Sequence, residues 1–264
     1  MTARFVIIAE DELGQKLARD LADRVVAERA VEWLRELWAD EGMLAMQRSF
    51  GGLRAGQAWC RWAEVKQLAD ERSIRVHGLG MKAERAMALK AVAVTAEMEV
   101  TSPEMPRVDA IFLVHDTDGD EEVRERLRDG ARGREAPPRF TVIVAAPHPE
   151  SEAWVIAGGR PWLADAQAQH DEERKRLGFD PVTQPERLSA NRPTDKRDAK
   201  RVCEALLGAH GDAYEAWERC WKETPLRELE KNGAQAGLRA YTQEVEGALL
   251  PLLGDPQPRD GQQR

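Results

Sequence analysis

The sequence predicts an α/β protein whose core is a parallel sheet flanked by helices, and two observations point there. Three apolar runs, RFVIIA at 4–9, VDAIFLVHD at 108–116 and RFTVIVAAPH at 139–148, are hydrophobic along their length instead of alternating, as strands buried on both faces are. Helical patterns separate them, and parallel strands need crossover segments of that kind.

Taken in order, the first strand ends at Ala9 or Glu10, and apolar residues at helical spacing then continue to about Trp38. Gly51, Gly52 and Gly56 break the pattern, which predicts a loop at 48–57. AWCRWAEVKQLAD reads as a short helix, SIRVHG as a short strand, and the Ala-rich stretch from Lys82 to Met98 as a helix closed by Pro103 and Pro106. After the second buried strand, DEEVRERLRDGARG forms an amphipathic helix ended by glycine and followed by Pro137 and Pro138. The third strand leads into a helix at SEAWVIAG, and beyond Pro161 the pattern is wholly helical. The expected organisation is an α/β domain over 1–160 with a helical insertion around 40–100, a helical lobe over 161–254, and a polar tail rich in Pro and Gly at 255–264, expected to be disordered.

Composition excludes several classes. At 264 residues with 42% hydrophobic and 33% charged residues, the chain is globular rather than a disordered acidic polymer. No run approaches the roughly 18 apolar residues of a membrane span, and the N-terminus lacks the parts of a secretory signal, so a cytosolic protein without membrane attachment is expected. Cys60, Cys203 and Cys220 lack CxxC spacing and read as buried thiols. The tryptophans fall mostly in helical regions and read as core. HExxH, GxSxG and GxxxxGK[ST] are all missing, which removes the motifs of zinc proteases, α/β-hydrolases and self-contained NTPases.

The net charge of −8 conceals a segregation: residues 48–90 and 174–201 each hold nine Lys or Arg against four acids. The acids concentrate where ligands bind in open parallel sheets, immediately after the strands. Glu10, Asp11 and Glu12 follow the first, Asp116, Asp118 and Asp120 the second, and Glu150 and Glu152 the third. Converging carboxylates repel one another, and a hard cation such as Mg²⁺ or Mn²⁺ relieves that repulsion, so a metal site is predicted. An EF-hand is excluded, because its sixth position here is Glu121 instead of Gly and its twelfth is Leu127 instead of Glu. Helix capping by Asp explains one or two of these acids, but not Glu10 and Glu152 at two other strand ends.

The Glu directly after strand 1 in FVIIAE, the apolar strand ending in DTDGD and the later PHPESEAW resemble the Toprim-type fold shared by topoisomerases, primases and overcoming-lysogenization-defect nucleases. The likeness is greatest to small bacterial Toprim-like proteins with an EAW signature and covers about residues 4–160, more loosely TDKRDAK and GLRAYTQEVE. The chain departs from the pattern in two ways: Asp11 stands where the family often has Gly, and the connection from Glu10 to Asp116 is long.

The resemblance implies Mg²⁺- or Mn²⁺-dependent hydrolysis of DNA or RNA, with Glu10, Asp116 and Asp118 catalytic and metal-binding and with Asp120 and Glu152 extending the metal set. Arg192, Lys196, Arg197, Lys200 and Arg201 are the residues expected to meet nucleic acid, Lys196 and Lys200 standing four apart on one helix face, as do Arg197 and Arg201. It also implies a role as effector in a bacterial anti-phage defence pair whose separate partner is an ATPase, and an oligomer is compatible with it. Two other readings are a catalytically silent Toprim-like module that binds a protein through Trp217 and Trp221, and a phosphoacceptor receiver domain, against which the long connection to Asp116 speaks.

Overall fold

The computed structural model describes residues 2–39, 41–76, 80–102, 107–133, 138–159, 167–190, 194–208 and 210–254. Arg192, the start of the helix expected just after Pro161 and the tail at 255–264 lie outside the described residues.

A five-stranded parallel sheet forms the centre, as the continuous apolar runs predict. Strands β1 (Ala3–Ala9), β2 (Arg48–Gly51), β4 (Ala110–Val114) and β5 (Thr141–Ala145) lie in the order β2-β1-β4-β5, and the two-residue β3 (Cys60–Arg61) pairs with the end of β1. Ile8 stands beside Leu113, and Val114 beside Ala145, so β1, β4 and β5 finish at one edge.

Side chains alternate between two cores. Phe5, Ile7, Phe112, Val114, Ile143 and Ala145 face one, while Val6, Ile8, Ile111, Leu113 and Val144 face the other. The second is covered by α4 (Trp62–Glu71), α5 (Ala83–Thr101) and α6 (Val123–Arg132). The first is covered by α1 (Glu12–Arg29), α2 (Glu32–Ala39), α7 (Ser151–Ala157), α9 (Ala199–Leu207), α10 (His210–Lys222), α11 (Leu226–Asn232) and α12 (Leu238–Gly254). The helices α9 to α12 therefore share one apolar cluster with β1, β4 and α1, and the Tyr241 hydroxyl of α12 donates to the Ala18 carbonyl at 2.5 Å.

Several expected elements differ. The single helix from Glu12 to Trp38 is broken at Ala30, whose backbone is extended. A straight helix over that stretch would run about 40 Å, longer than a small domain is wide. The turn brings Leu34 and Trp38 back onto the core, with Arg29 held by Glu230 and Glu246. The expected loop at 48–57 contains β2, whose Phe50 packs its ring against Phe5 and Phe112; four residues are too few to show a strand period. The 40–100 insertion holds α3 (Glu41–Gln47) and the other expected helices but, with β2 and β3 in it, is not purely helical. SIRVHG is no strand over its described residues 73–76.

Five of the tryptophans, Trp38, Trp62, Trp154, Trp217 and Trp221, are core as expected, whereas Trp33 is 49% exposed on the outer face of α2, Trp59 is partly buried and Trp162 lies outside the described residues. Trp154, Trp217 and Trp221 are fully buried, and their indole N–H groups donate to Ala236 O, Gly208 O and Asp20 Oδ2 respectively. Trp217 and Trp221 thus cannot form the partner surface of the silent-module reading. All three cysteines are buried and unpaired, and burial pushes the thiols of Cys60 and Cys220 up to about 12.

The β5 edge is closed by a side chain: Glu244 of α12 accepts the Val144 N–H at 3.0 Å and is itself held by Arg128 of α6 at 2.5 Å. Among the described residues no helix is long and apolar enough to cross a membrane.

Gly158 ends α7 where α10 crosses, and a Cβ there would stand 2.0 Å from the Cys220 carbonyl oxygen. Gly158→Ala is expected to destabilise the protein by about 1–3 kcal/mol, read from denaturant unfolding at unchanged m.

Candidate carboxylate site

The parallel ladder does not stop at the strand ends. His115 N–H donates to Ala145 O, Thr117 N–H to Pro147 O and Asp118 N–H to Pro149 O, each at 3.0 Å, so the loops after β4 and β5 run side by side. A side-chain bond reinforces them, with Thr117 Oγ1 2.7 Å from His148 Nδ1.

This zipper delivers Asp116 to the first turn of α7, where Ser151 Oγ donates to Asp116 Oδ1 at 2.8 Å. From the other side Glu10, directly after β1, accepts the Asp116 backbone N–H at 2.8 Å through Oε2. Three strand ends thus meet at one residue. Asp11 caps α1 by accepting the Gly14 N–H at 2.8 Å. Gly14 makes room for the meeting point, since a Cβ there would lie 3.3 Å from Ser151 Oγ and 3.4 Å from Asp11 Oδ1.

The electrostatics follow from crowding. Burial pushes the Asp116 carboxyl well above the usual carboxylate range, and Glu10, Glu152 and Asp11 push it further, against the Ser151 hydrogen bond. Glu150, which precedes α7, is raised to about 7 by burial and by the charges of Glu152, Asp198 and Asp118. One of its oxygens, Oε2, is buried with no hydrogen-bond partner among the described residues. Glu152, 9% exposed, is raised by burial and by Asp11 and Asp198, while Lys200 draws it down.

Of the predicted site residues, Glu10 bonds to the Asp116 backbone, Glu152 is near enough for its charge to act on Asp116, and Asp118 acts on Glu150. Asp118 is exposed in a left-handed turn with φ 50°, a conformation that Asp tolerates better than most residues. Asp120 behaves differently. Its Oδ2 pairs with Arg126 at 2.7 Å and its Oδ1 accepts the Glu122 N–H at 3.0 Å, so it fastens the start of α6 and its carboxyl is pulled below the usual range.

Among the described residues Lys200 is the predicted cation whose charge reaches the acids, lowering Glu150, Glu152 and Asp198. Lys196 and Arg197 do not share its helix: α9 starts at Ala199, capped by Asp198, and the two residues lie in the preceding turn. The Asp195-to-Asp198 turn ends any helix there, with Asp195 Oδ1 taking the Arg197 N–H. Arg201 is engaged with Glu173 at 2.8 Å, and Arg197 sits 5.8 Å from the Phe179 ring centroid.

Ser151 and Asp198 were missed in the sequence. Asp198 had a visible signal as a polar residue opening a helix, whereas Ser151 is defined only by the fold. His115, 3.6 Å from Glu10 Oε2, and His148 line the same loops.

The donor set is hard oxygen, suited to Mg²⁺ or Mn²⁺. Among the described residues no three His, Cys, Asp or Glu side chains form a ready-made metal cage. Mg²⁺ commonly uses one or two carboxylates, with water and substrate phosphate filling the remaining positions. Glu10 and Asp116 fit that pattern, each having one oxygen committed to a protein donor and, among the described residues, the second free of one. Comparison with family models, with curated proteins and with solved structures returned no match.

The raised carboxyls set a pH dependence of stability. Glu150 is protonated more readily in the folded than in the unfolded chain, so its contribution is complete below its ordinary value near 4.5 and is lost as pH rises through about 7. The Glu150→Gln protein is expected to melt at the parent's temperature near pH 4.5 and above it at pH 8, as thermal melts across that range would show.

Proposed function

We propose that the chain is a metal-dependent phosphodiesterase that hydrolyses nucleic acid at the carboxyl edge of its sheet. The observation that carries this reading is the meeting of Glu10 and Asp116, from two different strands, in one hydrogen bond, with Glu152 close enough to raise Asp116. A cluster kept at such electrostatic disadvantage is more typical of a functional site than of a structural one.

Glu10 and Asp116 are the residues that hold the metal, with Asp118 and Glu152 beside them. Bound there, Mg²⁺ or Mn²⁺ supplies a water of lowered pKa and neutralises charge on the phosphate. The Ser151 hydroxyl fixes the Asp116 carboxylate in one orientation. Lys200 offsets the negative field that a phosphodiester would otherwise meet. The nucleic-acid substrate class draws on the Toprim resemblance as well as on this geometry, while a defence role and a separate ATPase partner rest on the resemblance alone.

Calorimetric titration with Mg²⁺ and Mn²⁺ and cleavage assays on single- and double-stranded DNA and RNA test the reading. Asp116→Asn is expected to abolish metal binding and cleavage, and Ser151→Ala to weaken metal affinity by about 10–100-fold. Asp120→Asn, whose side chain belongs to Arg126, should leave metal affinity within about twofold, since exposed helix-end contacts contribute little to a distant site. A parent protein that neither takes up metal nor cleaves any of the four substrates at millimolar Mg²⁺ or Mn²⁺ would overturn the proposal.

A further inference from the structure

A second feature lies beyond the carboxylates. Helix α8 (Gln167–Leu177) ends at Gly178, and the chain passes through Phe179–Thr183 into a 3-10 turn at Pro185–Arg187. Between helix end and turn lies an open cavity of about 660 Å³ lined by Arg174, Lys175 and Arg187 together with Asp171, Asp180 and Phe179.

Its acids are occupied. Asp180 Oδ1 accepts the Val182 N–H at 3.0 Å and lies 3.2 Å from His170 Nε2, and Asp171 Oδ1 accepts from Gln167 Nε2 at 3.0 Å. The cations are less committed. Arg174 and Lys175 are exposed, with no carboxylate in ion-pair range among the described residues. Arg187 gives one N–H to Gln184 Oε1 and lies over the Phe179 ring at 4.4 Å from its centroid. Phe179 is itself 5% exposed, so no nucleobase can stack on it, and the cavity offers positive charge in place of an aromatic platform.

Position gives this charge a use. The 3-10 turn packs on α7, whose first turn carries Glu152, and α8 packs on α9, where Glu173 of α8 holds Arg201. We propose that the cavity seats the phosphate backbone of a nucleic acid strand by charge alone and without sequence preference, alongside the carboxylate cluster. The substrate class rests on the phosphodiesterase reading, but strand binding requires neither metal nor cleavage.

The test is fluorescence anisotropy of a labelled 30-nucleotide single strand in EDTA, titrated with the full chain over a range of salt. Arg174→Gln/Lys175→Gln/Arg187→Gln is expected to weaken binding about 100-fold at 0.1 M salt and to reduce the slope of log affinity against log salt by about 2. A charge-matched control on the opposite sheet face, Lys66→Gln/Arg75→Gln/Arg85→Gln, should stay within about twofold of the parent, as contacts remote from the strand change little. If the triple variant melts early, the single Lys175→Gln, on an exposed helix surface, is read instead for a slope change of about 0.7.

Equal losses in the triple variant and the control, or no binding by the parent, would overturn the proposal. Binding lost in the triple variant without any metal-dependent cleavage by the parent would leave the cavity standing and remove the phosphodiesterase. Cleavage by the parent with the triple variant's affinity unchanged would do the reverse.

Discussion

The arrangement depends on the parallel ladder of β1, β4 and β5 running on beyond the strands themselves. Backbone hydrogen bonds from His115, Thr117 and Asp118 to the last residue of β5 and the loop after it fix the position of Asp116 before any side chain acts. Glu10 then fastens that loop to β1, and Ser151 fastens it to α7. Because the strands are parallel, their carboxyl ends face one way, and whatever acids the sequence places there share one small region. The two apolar cores on either side supply the rigidity that keeps those acids together against their repulsion.

The strand ends were legible in the sequence because runs such as AIFLV leave little choice but burial on both faces. The acids after them were legible for the same reason, and Glu10 reaches the Asp116 backbone while the charge of Glu152 acts on the Asp116 carboxyl. Other features depend on distant parts of the chain that local periodicity does not encode. Asp120 has the same spacing as its neighbours, yet its side chain is taken by Arg126 one turn into α6. The helix break at Ala30 answers to Glu230 and Glu246, some two hundred residues on. Likewise β2 and β3 exist because β1 offers an open edge, and neither is long enough to announce itself. The basic stretch at 174–201 was visible as charge, but its distribution among Glu173, Phe179, the acids and an open cavity required the fold.

The carboxylate cluster is electrostatically expensive, and the fold relieves it only in part. Lys200 draws down Glu150, Glu152 and Asp198, yet all three stay raised, as does Asp116, and among the described residues one Glu150 oxygen has no partner. The neighbouring acids at Asp11, Asp198 and Asp120 have been turned to capping, so their charge also serves a structural end. The two populations are distinguished by what their side chains bond to, and composition alone would not separate them.

The carboxylate of Glu244 on the Val144 N–H has a consequence for how this protein behaves among its own copies. A parallel sheet is open at its last strand, and an unpaired row of backbone groups invites a strand from another molecule. At β5 an inward-facing charge, held by Arg128, takes the place such a strand would need. At the opposite side β2 has only four residues and β3 only two, too little for a neighbour to register against. Both margins of the sheet are therefore guarded against edge-to-edge aggregation, by a charged plug on one side and by shortness on the other.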